Sequence, residues 1–82
     1  MIDTGQVYER LMRRFPPGAR PELRMALYRR LDQLVEAEGE AAYCVIATVA
    51  ADAAGKREPG KYFAFVVLRR LMERGLIPSP VL

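Results

Sequence analysis

Three residues in the stretch GKREPGKYFAF, residues 55–65, carry the spacing of a phosphate-binding loop: Gly55, Gly60 and Lys61 fit G-x-x-x-x-G-K. That chemistry needs backbone N–H groups curled around a phosphate, a lysine on its oxygens, and a serine or threonine next in line to hold magnesium. The next residue is Tyr62, whose ring-borne hydroxyl cannot replace so small a ligand. Such a loop also follows a strand, whereas the residues before Gly55, ADAA, read as the end of a helix. The match is one of spacing only. What remains is a basic turn, Lys56, Arg57 and Lys61, beside a helix start whose first N–H groups are unpaired and whose dipole is positive. An anion would suit that turn, and so would plain solvent with Glu58 pairing locally.

Other catalytic ingredients are scarce. The chain has no histidine and one cysteine, so a tetrahedral Cys/His zinc site lacks its ligands. Ser79 sits between prolines, and Thr48 lies in an apolar run with no base beside it. Glu38 and Glu40 flank Gly39, with Asp52 one element away. A carboxylate site there would need a pocket that a domain of this size rarely holds. Cys44, inside YCVIATV, reads as a small buried side chain in a reducing compartment, with no basic residue within ten positions to activate it. No enzyme, cofactor or metal is expected.

The 82 residues allow one domain, 1–82, with little core to spare; about 60% of the unfolded chain's surface is buried at this size. A composition 51% hydrophobic suits tight helix packing or dimerisation. The net charge of +3 is unevenly spread. Residues 1–31 and 55–82 are basic, while residues 32–54 carry Asp32, Glu36, Glu38, Glu40 and Asp52 and no basic residue. The outer segments could converge on one anionic partner, or form ordinary solvated faces. The N-terminus lacks a signal-peptide pattern, and the uncharged run from Ala41 to Ala51 is far short of the roughly 20 residues of a membrane span. The expectation is a cytoplasmic protein with no membrane partner.

Four periodic stretches must position these groups. The first, Thr4 to Phe15, places Val7, Tyr8, Leu11, Met12 and Phe15 on one face, with Asp3 and Gln6 spaced as a capping box. PPGARP then stops it. The second, Pro21 to Glu38, carries the stripe Leu23, Leu27, Leu31, Leu34 and Val35, with Gly39 as its stop. The third, Glu40 to Ala54, is apolar almost throughout. Val45, Ile46, Thr48 and Val49 would suit a strand, but alanine-rich flanks and its length favour a helix buried on most sides. The fourth runs from Pro59 to Glu73 or Arg74 and ends at Gly75, leaving residues 75–82 as an extended proline-containing tail. The fold class expected is all-α: four helices around an apolar central third one.

The fourth helix is the anomaly. At 100° per residue Ala64, Phe65, Leu68, Leu71 and Met72 share one side, the expected core stripe. Arg69, Arg70, Glu73 and Arg74 lie opposite, yet Tyr62, Phe63, Val66 and Val67 project toward that arginine side. Either the first helix or the tail covers them, or they form an exposed face of rings and guanidiniums. On nucleic acid, rings stack on bases while cations take phosphates; on a protein, Tyr and Arg dominate contact energy. The third stretch, AAYCVIATVA, has no Arg, Lys, Asn or Gln and cannot be a base-reading helix.

The leading expectation is therefore a small basic DNA- or RNA-binding protein. Its contacts would come from Arg13, Arg14, Lys56, Arg57, Lys61, Arg69, Arg70 and Arg74, with Tyr62 stacking, and its affinity would fall steeply with salt. The competing expectation is a protein-interaction module, a homodimer or adaptor subunit. Tyr62, Phe63, Val66 and Val67 would then form its dry centre and the arginines its rim.

Overall fold

Proline and glycine set the punctuation of the chain. A computed structural model describes residues 4–78 and gives α1 (Thr4–Arg14), α2 (Pro21–Glu38), α3 (Glu40–Ala53) and α4 (Pro59–Glu73), with no strand among them. The all-α fold of four helices is as the periodicity implies, and each end lies within a residue or so of the expected one. Asp3, proposed as the first cap, and residues 79–82 lie outside the described residues. Pro21 and Pro59 open α2 and α4, where a missing N–H costs nothing. α2 and α3 are joined by Gly39 alone, at φ 66° and ψ −138°, a conformation that suits glycine. At the far end Gly75 has φ 72°, its N–H bonds to the carbonyl of Met72 and that of Leu76 to the carbonyl of Leu71. This Schellman pattern turns the chain back on itself. Ile77 consequently enters the core and Leu76 packs beside it, so the start of the expected tail is part of the fold.

α2 packs on α1 and on α3, and α3 on α4. A radius of gyration of 12.0 Å matches the roughly 12 Å expected of one folded unit of this length. Side chains join the ends of this succession. Phe15, just past α1, stacks on Phe63 of α4 with ring centroids 4.8 Å apart. Tyr28 of α2 meets the same Phe63 ring edge-on at 6.3 Å. The Tyr28 hydroxyl, wholly buried, donates to the carbonyl oxygen of Phe15 at 2.6 Å. That bond satisfies an acceptor left over at the end of α1, where Pro16 and Pro17 offer no N–H.

Three expectations about helix faces are corrected. In α2 the buried positions are Tyr28, Leu31 and Val35, while Leu23 is 59% exposed. The buried side is rotated toward Tyr28, which bonds to the Phe15 carbonyl and meets Phe63 edge-on, while Leu31 and Val35 of the expected stripe remain in it. α3 is buried along one side, through Ala42, Val45, Ile46, Val49, Ala50 and Ala53. Ala41, Cys44, Ala47, Thr48 and Ala51 are exposed, since α2 and α4 flank the helix and nothing among the described residues covers its third side. Cys44 is accordingly an exposed thiol and not a core side chain. In α4 the buried residues are Phe63, Val67 and Leu71; of the expected stripe Leu71 is buried, while Ala64, Phe65, Leu68 and Met72 are not.

Candidate docking surface on the fourth helix

The reversal in α4 begins at Gly60. A β-carbon there would lie 2.6 Å from Nη1 of Arg24 and 3.7 Å from Cβ of Phe15. With only hydrogen on its Cα, the first turn of α4 settles against the end of α1 and lets the Arg24 guanidinium cross it. Gly60 shares a face with Phe63, Val67 and Leu71, three, seven and eleven positions on. The side that carries the glycine is the side that is buried. Phe63 and Val67 are wholly buried. They cannot form the dry centre of an exposed face; Phe63 is covered by Phe15, just past α1, and by Tyr28 of α2. Tyr62 and Val66 keep partial exposure.

The other apolar side of α4 is left at the surface. Phe65 is 75% exposed, and with Ala64, Leu68 and Met72 it lines an open groove bordered by Arg24, Lys61, Arg69 and Glu73. Phe65, Leu68 and Met72 follow the three-then-four spacing of a helix seam, with Lys61 four residues ahead of Phe65. Three cations and one carboxylate border the groove. The carboxylate, Glu73, lies 3.7 Å from Nε of Arg69, an exposed pair one turn apart that contributes little to stability.

The basic residues expected to act together are divided by the fold. Lys61 and Arg69 border the outer groove. Arg70 and Arg74 border a second groove, between α3 and α4, with Cys44, Thr48, Asp52 and Val66. Arg13 and Arg14 stand exposed at the end of α1, the Arg14 guanidinium 5.8 Å from the Phe15 ring centroid. Lys56 and Arg57 are exposed in the connection ahead of α4. Tyr62, the proposed stacking ring, is already engaged: Lys56 Nζ lies 5.0 Å over its ring, and its hydroxyl donates to Oδ2 of Asp52. That bond raises the Tyr62 pKa above its usual value, with burial and the Asp52 charge adding to the effect and Arg70 opposing it. Tyr62 is thus a tether between α3 and α4.

The chain matches no family model, no curated protein and no solved structure. Its function must be argued from the surfaces themselves. Among the described residues no three His, Cys, Asp or Glu side chains gather as a metal site, and no helix is long and apolar enough to cross a membrane. The segment before Gly55 is the helix α3, so no strand feeds the loop-like spacing there. Sequence periodicity does not single out Arg24, and it assigns Phe65, Leu68 and Met72 to the core, because α4 offers two apolar sides. The glycine three residues before Phe63 was the signal that could have separated them.

Proposed function

We propose that this protein is a non-catalytic, helical interaction module of the cytoplasm, and that it docks a helix of a protein partner on the outer face of α4. The observation that carries this is the 75% exposure of Phe65 above the half-buried Leu68 and Met72. An aromatic ring held out at a helix seam and bordered by arginine and lysine has the composition of a contact centre. Exposed Cys44, unpaired, fits a compartment where thiols stay reduced. The interaction reading keeps the competing role expected from the sequence but moves it to the opposite side of α4.

Nucleic-acid binding is the second reading. What favours it is the exposure of all eight proposed cations, Arg13, Arg14, Lys56, Arg57, Lys61, Arg69, Arg70 and Arg74. Their division between two sides of α4 and the engagement of Tyr62 weigh against one continuous phosphate track. The test pairs two variants of the full chain against two probes, a labelled amphipathic helical peptide and generic oligonucleotides. Docking on α4 gives saturable peptide binding that Phe65→Asp removes and Arg70→Glu with Arg74→Glu spares. Oligonucleotide binding at about 50 mM salt that collapses as salt rises, and is lost only in the double arginine variant, would transfer the function to nucleic acid.

A further inference from the structure

We infer that the occupant of the outer groove is a second copy of this chain, whose α4 lies antiparallel to the first across a two-fold axis. This rests on the docking reading of the same face. The argument is the order of charge along the helix. Lys61 stands at the amino end of the groove with Arg24 beside it over Gly60, and Glu73 stands at the carboxyl end. Twelve residues of helix separate Lys61 from Glu73, about 18 Å. A parallel neighbour would set lysine against lysine and glutamate against glutamate. An acidic helix from another protein would suit Arg24, Lys61 and Arg69 but would offer Glu73, 3.7 Å from Arg69, no further partner of opposite charge. An antiparallel copy sets each Glu73 beside the Lys61 and Arg24 of its neighbour, twice by symmetry.

The apolar residues fit the same register. Pairing Phe65 with Leu68 of the neighbour, in both directions, centres the axis between those positions. It also brings Met72 alongside the stem of the neighbour's Lys61, and Arg69 opposite Ala64, where no charge opposes it. Antiparallel packing also sets the two helix dipoles head to tail. The seam buries Phe65, the most exposed large apolar side chain among the described residues, together with the outer sides of Leu68 and Met72.

The test is equilibrium sedimentation of the full chain over a broad concentration range, with helical content followed alongside. The wild type is expected to dimerise, and Phe65→Asp to weaken the dimer by at least ~30-fold at unchanged helicity, the loss of one central contact residue. Lys61→Glu and Glu73→Lys are each expected to weaken it ~5- to 20-fold, since each change acts at two symmetric places. The two together are expected to restore it. A dimer that survives Phe65→Asp, or a double variant no better than the singles, overturns the antiparallel seam. A wild type that stays monomeric overturns the second copy as occupant. In that case peptide binding sensitive to Phe65→Asp leaves the docking reading standing, and its absence removes that reading as well.

Discussion

The two apolar sides of α4 are built from nearly the same kinds of residue and meet opposite ends. One carries Phe63, Val67 and Leu71 and is wholly buried; the other carries Phe65, Leu68 and Met72 and holds a phenylalanine 75% in solvent. Hydrophobicity does not separate them. Access does. On the inner side Phe15 and Tyr28 close on Phe63. On the outer side Lys61 stands one turn before Phe65, and its charged end holds that surface open to water. Among the described residues no element covers the outer side, and Phe65 stays in solvent.

Unfolding in urea probes that contrast most strongly. Phe63→Ala is expected to cost about 3–5 kcal/mol, the loss of a fully buried aromatic together with the cavity it leaves. Phe65→Ala is expected to stay within about 0.5 kcal/mol, as for other exposed positions. Similar losses at the two sites would break the comparison. Tyr28→Phe sharpens the inner side further. It keeps the ring and strips the Phe15 carbonyl of its partner, with an expected loss of about 1–3 kcal/mol by the same measurement.

Gly60→Ala probes the border of the outer groove rather than the core. The atom it meets is the mobile end of Arg24, so stability should change by less than about 1 kcal/mol, alanine's better helix propensity offsetting the displacement. Sedimentation should nonetheless show weaker association, because Arg24 is pushed from the groove border. The smallest effect concerns the flank facing α3. Tyr62 holds its proton more tightly folded than unfolded, owing to the hydrogen bond to Asp52. Its contribution is present in full below its unfolded pKa and is lost as pH rises through the higher folded one. Wild type and Tyr62→Phe should therefore differ by a constant amount at neutral pH and converge only in strongly alkaline solution, in melts recorded across that range.

Much of the fold was legible in the sequence, for identifiable reasons. Gly39, Gly75 and the prolines at 16, 17, 21 and 59 mark helix limits through local backbone physics, and local physics needs no knowledge of the neighbours. Val7, Leu11 and Phe15 offered α1 a single apolar side, so its core face followed directly. Faces were misread wherever a helix offered more than one. α2 buried Tyr28 because its hydroxyl finds the Phe15 carbonyl, a contact between residues thirteen positions apart that periodicity does not register. α3 lost its cover on the side of Cys44, and the arginines that share Cys44's groove, Arg70 and Arg74, come from a different helix. The proposed site depended on the same tertiary fact: rings and arginines adjacent on a helical projection of α4 are divided once one side is drawn into the core.

The most direct measurement is backbone and methyl NMR of the full chain, recorded from dilute to concentrated protein. Pairing of two copies through the outer face of α4 predicts shifts that grow with concentration at Lys61, Phe65, Leu68 and Met72, while Phe63 and Val67 in the interior and Arg70 and Arg74 on the other flank stay still. Spectra unchanged by concentration, or changes confined to the groove between α3 and α4, would contradict it.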